Sequence, residues 1–295
     1  MRAIVVHEAG GPEVLRLEEA PDPQPGEGKV LVRVEAIGIN HADLSRRASG
    51  AGPFPTILGY DAAGRREDTG ERVLVTSTLG AYAELVAAKE ENIFAIPASL
   101  DAAAAAAIGV PYKTAWWALV DLGGLKQGDT LLVQGASTAT GQASVDIGLS
   151  LGAKVYATSR AQKLDKVRAL GAEALEYGDP KVRELEANVV FEPIGADTFS
   201  DSVEALADEG VLVTPGAVGN PMVSFNLWTL MGKRARIQGT GSARASRETM
   251  ERLISLAGEG KLKPVIDREL ALEQAADAHR AIEARETFGK VILRP

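Results

Sequence analysis

The feature that most constrains this chain of 295 residues is a strand, turn and helix pattern over residues 131–151. The apolar run 131–133 predicts a strand, the small residues after it predict a tight turn, and residues 141–151 predict a helix. A second apolar strand at 154–158 follows about 20 residues after the first. The first amides of such a helix bind the pyrophosphate of a dinucleotide, so the pattern predicts a dinucleotide-binding domain.

The turn departs from the usual three-glycine pattern of these domains. The first and second glycine positions hold Ala136 and Thr138, and only Gly141, which allows close packing of helix and strand, is kept. Thr138 either holds a phosphate slightly further away or donates its hydroxyl to it; a purely structural turn is the alternative. The predicted cofactor contacts in this turn are Gly135, Ala136, Ser137, Thr138, Ala139, Thr140 and Gly141.

The end of the second strand indicates which dinucleotide binds. NAD sites usually place Asp or Glu there, against the ribose hydroxyls. This chain has Ser159 and Arg160 at that point, with Lys163 close behind. A guanidinium and an ammonium attract a 2′-phosphate through charge-assisted hydrogen bonds, whereas a carboxylate would repel it. We therefore predict NADPH as the cofactor; the alternative is a set of ordinary surface cations.

Composition excludes several other classes of protein. The net charge of −8 argues against nucleic acid or an anionic membrane as a partner. The absence of cysteine removes disulfides, thiolate nucleophiles and thiolate-rich zinc sites, and fits a reducing cytosol. No apolar run approaches the roughly 20 residues of a membrane span, and the N-terminus lacks a signal-peptide pattern. We expect a cytoplasmic protein without a nucleic-acid or membrane partner.

The order of the predicted elements indicates an α/β fold with two parts. The first ~95 residues alternate valine-rich runs with Gly/Pro turns and predict a β-rich unit. From about residue 103 helices alternate with short apolar strands, which predicts a doubly wound parallel sheet. A last helix at 275–285 and a strand at 289–293 have no further βα partner. We expect them to return and complete the N-terminal β-unit.

Further segments match one known family in order along nearly the whole chain: 12–15, 36–43, 58–64, 112–116, 261–267 and 288–293. Together with the phosphate turn, they resemble the zinc-independent quinone oxidoreductase (zeta-crystallin-like) branch of the medium-chain dehydrogenase/reductase superfamily. The resemblance implies a GroES-like β-barrel catalytic domain over 1–112 and 263–295. It also implies a Rossmann domain over 113–262 and an active cleft between the two.

The same resemblance implies roles for individual residues. Asn40 and Thr114 match positions on the nicotinamide side of the cleft, and Tyr177 matches a tyrosine near the adenosine phosphate. For Asn40 the alternative is a loop cap, and for Thr114 a helix residue bonded to its own backbone. Four residues match loops that hold the nicotinamide end: Gly216, Ala217, Val218 and Gly241.

The chain departs from the zinc-dependent members of the superfamily. Those relatives place a Cys near Asn40 and a His at Tyr60, and both are missing. The three histidines, His7, His41 and His279, keep no metal-ligand spacing. We therefore predict that the protein uses no metal. The final proton comes from water, His41 or Tyr60. Tyr60 joins Asn40 and Thr114 as a candidate catalytic residue.

The function predicted on this basis is hydride transfer from NADPH to a quinone or a similarly conjugated acceptor. An aromatic ring delocalises the developing charge, so the protein needs mainly to hold donor and acceptor together. Reduction of an activated C=C bond in an enone or enal is one alternative; an NADPH-binding sensor or structural protein with little turnover is another.

Association into a homodimer is also implied by the resemblance, through the edge strand of the Rossmann sheet near 211–238. Phe225, Leu227, Trp228 and Leu230 are candidate apolar contacts. The alternative is that these side chains cover the core of their own domain.

Overall fold

The computed structural model describes every residue from 1 to 295. The strands are β1 (Arg2–Val6), β2 (Arg16–Glu19), β3 (Lys29–Gly38), β4 (Thr56–Ile57), β5 (Asp61–Arg66), β6 (Arg72–Val75), β7 (Leu85–Lys89), β8 (Ile93–Ala95), β9 (Thr130–Val133), β10 (Lys154–Ser159), β11 (Glu173–Glu176), β12 (Ala187–Phe191), β13 (Leu206–Thr214), β14 (Arg236–Gly239), β15 (Ile266–Ala271) and β16 (Lys290–Arg294). The α-helices are α1 (His41–Ser49), α2 (Ala102–Trp116), α3 (Ala139–Ser150), α4 (Leu164–Ala169), α5 (Phe199–Glu204), α6 (Leu227–Gly232), α7 (Arg247–Gly258) and α8 (Ala275–Glu283). None of these helices combines the length and apolar character needed to cross a bilayer.

The chain divides into two compact units. The first comprises Met1–Pro111 with Ser246–Pro295, and the second comprises Tyr112–Ala245, so one boundary falls inside α2. The chain returns to the first unit at residue 246, earlier than the boundary expected at 263. Helix α7 accounts for the difference, because Arg247 at its start donates to the carbonyl oxygen of Ile93 in β8 at 2.9 Å.

The second unit is built on a six-stranded, wholly parallel sheet in the order β11-β10-β9-β12-β13-β14. Numbered within the unit, this is 3-2-1-4-5-6, the order of a Rossmann fold. Residues 131–133 of the central strand β9 are completely buried, as expected for a parallel strand covered on both faces. The predicted α/β fold class is confirmed.

The first unit contains two sheets with antiparallel pairing dominant. One is three-stranded, in the order β2-β1-β4; the other is seven-stranded, in the order β15-β16-β3-β5-β6-β8 with β7 also paired to β3. The last strand, β16, pairs antiparallel with β3, so the chain end completes the unit as expected from the sequence. The core between these elements contains Ile4, Val32, Ile37, Leu58 and Leu293.

The pairing of β3 with β5 requires a glycine at position 64. A Cβ atom on Gly64 would lie 1.9 Å from the carbonyl oxygen of Arg33, which is backbone and cannot rotate away. Strand β3 is hydrogen-bonded to β5 on one side and to β7 on the other, so it cannot shift without breaking a second ladder. The glycine therefore allows the close approach of two central strands.

We expect Gly64→Ala to destabilise the protein by about 2 kcal/mol or more, because overpacking against backbone has no side-chain relief. Gly26→Ala is the matched control, since a Cβ there has no atom within 4 Å. The control should leave the free energy of unfolding unchanged or slightly increased. Urea unfolding followed by circular dichroism measures both values, and equal free energies for the two variants would contradict the packing argument.

Candidate functional site

The predicted phosphate turn lies at the carboxyl end of β9, at the switch point of the sheet, where β10 and β12 lie on either side. Thr138 caps helix α3: its hydroxyl donates to the carbonyl oxygen of Gly135 at 3.0 Å and accepts from the amide of Gly141 at 3.0 Å. This hydroxyl hydrogen is thus used inside the turn and not offered to a ligand. The amides of Ala139 and Thr140 have no partner within the helix, which leaves them available to a ligand.

Two positions of the turn, 135 and 141, have no room for a side chain. A Cβ atom on Gly141 would lie 2.3 Å from the carbonyl oxygen of Gly135, so the helix can approach the strand only with glycine at that position. Gly135 itself has a φ of 74°. Ala136 is fully buried, and its amide donates to the carbonyl oxygen of Thr158 at 2.9 Å. Ser137 is half-buried at the outside of the turn.

The carboxyl end of β10 holds a hydroxyl without a partner. Ser159 is fully buried, and its Oγ makes no hydrogen bond. Arg160 follows it on the surface, and Lys163 is half-buried in the short 3₁₀ turn Ala161–Lys163. The amide of Tyr177 donates to the carbonyl oxygen of Ser159 at 3.2 Å, so Tyr177 lies at the same edge.

These residues fit a dinucleotide with an added phosphate. Buried hydroxyls nearly always have partners, so the orphaned Ser159 hydroxyl suits a ligand oxygen. The neighbouring guanidinium and ammonium supply the positive charge for a 2′-phosphate. The two free amides at the start of α3 suit the pyrophosphate. The donor set of the second unit therefore fits a nicotinamide dinucleotide.

The predicted nicotinamide loops lie at the carboxyl ends of the next strands. Gly216, Ala217 and Val218 follow β13 and are exposed, and Gly241 follows β14 with a φ of 56°. The amide of Val218 donates to the carbonyl oxygen of Pro193 at 2.9 Å, so the loop after β13 pairs with the loop after β12.

In the first unit, the side chain of Asn40 is part of a buried polar group. Its Nδ2 donates to Asp61 Oδ2 at 3.0 Å and to the carbonyl oxygen of Gly38 at 3.2 Å. Its Oδ1 accepts from Lys290 Nζ at 2.6 Å. Both amide hydrogens of Asn40 are therefore engaged by protein groups.

Lys290 is a buried cation that the sequence reasoning missed. Its side chain is 1 % exposed, and a Cβ on Gly38 would lie 2.6 Å from its Cε, so the glycine makes room for it. Burial lowers the pKa of Lys290, and the charges of Asp61 and Asp43 oppose that shift. A lysine inside the apolar segment 288–293 was the available signal.

The residues at this place do not fit zinc. The resemblance locates zinc ligands near Asn40 and at Tyr60, where this chain has an amide and a phenol instead of a thiolate and an imidazole. The ammonium of Lys290 already lies against Asn40 Oδ1, so a second cation would be repelled. No group of three or more His, Cys, Asp or Glu side chains in the structure could hold a metal ion.

Asp43 connects the two segments that carry Asn40 and Tyr60. Its Oδ2 accepts from the amide of Asn40 at 2.8 Å, and its Oδ1 accepts from the amide of Gly59 at 3.0 Å. Burial raises the pKa of Asp43 to about 7, and these two backbone donors partly offset the effect. Asp43 therefore positions both loops.

The other candidate catalytic residues are less enclosed. Tyr60 is half-buried immediately before β5 in the first unit. Thr114 is half-buried in the part of α2 that belongs to the second unit. Asp43 therefore brings together the segments of Asn40 and Tyr60, whereas Thr114 lies on a separate compact unit.

Comparisons with known proteins agree with both units. Residues 26–78 match the alcohol dehydrogenase GroES-like domain, and residues 170–293 match the zinc-binding dehydrogenase family. The quinone oxidoreductase of Lama guanicoe is 32% identical, over 99% of this chain and 97% of its own. The acryloyl-coenzyme A reductase of Sulfurisphaera tokodaii is 26% identical over the full length of both chains.

Two solved structures resemble the whole chain. A structure described as an NAD-dependent alcohol dehydrogenase superposes with a TM-score of 0.93 at 31% identity, covering 100% of both chains. A mycobacterial protein solved in complex with NADPH superposes with a TM-score of 0.90 at 29% identity, again over 100% of both chains. With the matched motifs and near-complete coverage, the chain belongs to the zeta-crystallin-like quinone oxidoreductase branch of the medium-chain dehydrogenase/reductase superfamily.

Proposed function

We propose that this oxidoreductase uses NADPH to reduce a quinone, or a similarly conjugated acceptor, without a metal ion. The observation that carries the cofactor assignment is the carboxyl end of β10. There a buried hydroxyl, that of Ser159, lacks a partner and is followed in the chain by Arg160 and Lys163. A similar mycobacterial structure was solved with NADPH, which supports the assignment. Another similar structure is described as NAD-dependent, so the choice rests on these three side chains and not on the fold.

The proposed roles follow from the donors at each segment. When bound, NADPH supplies a hydride from C4 of its nicotinamide ring. The amides of Ala139 and Thr140 bind the pyrophosphate, and Arg160 with Lys163 binds the 2′-phosphate. The loops containing Gly216–Val218 and Gly241 hold the nicotinamide end, and Tyr177 lies by the adenosine phosphate.

The proposed chemistry in the first unit requires no Lewis acid. Reduction of a quinone spreads the developing charge over the ring, so orientation and exclusion of water account for most of the rate gain. Asn40 and Thr114 contact the reacting end, Asn40 through the remaining lone pair of its Oδ1. The phenol of Tyr60 supplies the final proton. Lys290 contributes positive charge behind Asn40, near which the resemblance places a metal ligand of zinc-dependent relatives.

A second candidate is the reduction of an activated C=C bond. The observation that favours it is the full-length similarity to acryloyl-coenzyme A reductase. The acryloyl group in that name has a C=C bond conjugated to a carbonyl. It shares the cofactor and the hydride step, so the two candidates differ only in the acceptor.

We expect the purified protein to oxidise NADPH with a quinone faster than with an α,β-unsaturated ketone, and to keep its rate after incubation with a strong chelator. Absorbance at the NADPH band measures each rate. Faster turnover of the ketone would support the second candidate. Chelator-sensitive turnover would contradict the metal-free mechanism. Tight NADPH binding with no turnover of any acceptor would favour the sensor alternative.

We expect Arg160→Glu to raise the Kd for NADPH by about 100-fold while changing the Kd for NADH less than about threefold, because the charge-assisted bond is replaced by repulsion. Arg168→Glu is the matched control: it makes the same charge change nearby, but Arg168 pairs with Asp165. Fluorescence titration measures the four constants. An equal loss of affinity for both nucleotides would contradict phosphate recognition by Arg160.

We also propose that two copies associate through β14, the edge strand of the parallel sheet. The four candidate contact residues divide into two pairs. Phe225 and Leu230 pack on the core of their own unit, whereas Leu227 and Trp228 are 58% and 78% exposed. Apolar side chains this exposed beside an unpaired strand edge are typical of an interface.

We expect the protein to sediment as a dimer and Trp228→Glu to sediment as a monomer, because a charge would be buried at the interface. Leu79→Glu is the control, since Leu79 is an exposed apolar residue in the first unit. Sedimentation velocity separates the two states. A dimer that persists in Trp228→Glu would show that the edge of β14 is not the contact.

A further inference from the structure

The second unit contains one buried carboxylate, that of Glu192, and the proposed reaction assigns no role to it. Glu192 follows β12 and is fully buried. Its Oε1 accepts from the amides of Ile194 and Gly195 at 2.7 and 3.0 Å. Its Oε2 accepts from Ser202 Oγ at 2.6 Å, and Thr198 Oγ1 lies within 3.0 Å of both oxygens.

No lysine or arginine forms an ion pair with this carboxylate. Neutral hydrogen-bond donors alone take the place of the water molecules that it loses on burial. Burial raises the pKa of Glu192, and the donors from Ser202, Gly195, Thr198 and Ile194 oppose that shift. A buried carboxylate without a cation is costly unless its hydrogen bonds are complete. Four protein groups meet that condition here.

One branch of the network runs from Glu192 to the phosphate turn. An ionised carboxylate only accepts, so Ser202 donates to Glu192 and must itself accept from Gln134 Nε2, which is 3.0 Å away. The amide of Gln134 is thereby oriented with its Oε1 towards Thr158, whose hydroxyl donates to it. That hydroxyl is then left to accept from the amide of Gly135 at 3.4 Å. The charge of Glu192 sets the direction of every bond in this branch.

A second branch runs to the loop after β13. Glu192 holds the amides of Ile194 and Gly195, and the carbonyl oxygen of Ile194 accepts from the amide of Gly219 at 2.9 Å. The amide of Ala196 donates to the carbonyl oxygen of Asn220 at 2.9 Å. Gly195 has a φ of 100°, and a Cβ there would lie 2.4 Å from that same oxygen of Asn220.

The two branches meet at the switch point of the sheet. A Cβ on Gly135 would lie 2.8 Å from Ile194 Cδ1, so the loop held by Glu192 packs directly against the phosphate turn. Three segments therefore depend on one carboxylate: the turn at 135–141, the loop at 193–198 and the loop at 216–220.

We propose that ionised Glu192 is a positioning residue that aligns these three segments for binding of the dinucleotide. It acts through hydrogen bonds to their backbone and side chains and contacts no part of the cofactor itself. The proposal rests on the proposed function, because the same segments are the ones assigned there to the pyrophosphate and the nicotinamide end.

The test is Glu192→Gln in the full-length protein. The amide keeps the shape of the side chain but turns one acceptor into a donor. Its NH2 group then faces either the two backbone amides or the Ser202 hydroxyl, which are themselves donors. In the protein without nucleotide, we expect hydrogen–deuterium exchange in peptides over 193–196 and 217–220 to become about tenfold faster. Peptides over β10 and β11 should keep their rates.

A nucleotide-binding measurement complements the exchange data. We expect Glu192→Gln to raise the Kd for NADPH about tenfold while kcat at saturating NADPH falls less than about threefold, because alignment is lost in the free protein and restored on binding. Asp201→Asn is the matched control: it removes a carboxylate on the neighbouring helix α5, where Asp201 pairs with Arg183 at the surface. Its exchange pattern should match that of the wild type.

Ser202→Ala separates the two branches and serves as the second variant should Glu192→Gln not fold. It should speed exchange at 134–138 and leave 217–220 protected. Unchanged exchange in Glu192→Gln, or a uniform increase over the whole unit, would overturn the positioning role. Failure of the wild type to bind NADPH would instead overturn the proposed function, since the exchange measurements need no nucleotide.

Discussion

Buried polar groups that must find partners inside the protein organise both units. Asp43 and Asp61 do so in the first unit, and Glu192 does so in the second. Asp43 and Glu192 each accept from two backbone amides near the ends of strands, where no ladder holds the chain, and Asp61 accepts from the amide of Val110 in α2. Since an unsatisfied buried donor or acceptor costs about 1–3 kcal/mol, a loop that moves away from its carboxylate loses that amount. The shape of the loops at the strand ends follows from this requirement.

The same requirement explains how the first unit departs from zinc-dependent members of its superfamily. A buried ammonium, Lys290, satisfies Asn40 Oδ1 and lies 3.4 Å from Asp61. Positive charge is therefore provided by a side chain that the final strand carries into the core. In the proposed mechanism the neighbouring amide of Asn40 orients the acceptor and the phenol of Tyr60 protonates it, and an acceptor that delocalises its own charge needs no more.

The main elements of the second unit could be predicted because their signals are local. The apolar strands β9, β10, β12 and β13 alternate with helices, and that alternation indicates parallel pairing in any context. Other expectations were wrong in detail. The last of the valine-rich runs predicted in the first ~95 residues is only partly a strand: β7 begins at Leu85, and before it Tyr82 turns inwards with its hydroxyl 3.0 Å from His279 Nε2. Helix α1 was not predicted, since Leu44 is the only apolar residue other than alanine and glycine between His41 and Pro53.

By itself, the amino-acid sequence determined the α/β class, the two-part organisation, the tight turn between β9 and α3 and the presence of cations after β10. The turn and the cations lie within about 30 positions of one another in one βαβ unit, and the class and the two parts follow from the succession of such local patterns along the chain. The tertiary structure decided the pairing of Asn40 with Lys290 across 250 residues and the connection of Gln134 to Ser202 across 68. Those contacts depend on which strands become neighbours. The periodicity of apolar residues describes each strand by itself and does not indicate its neighbours.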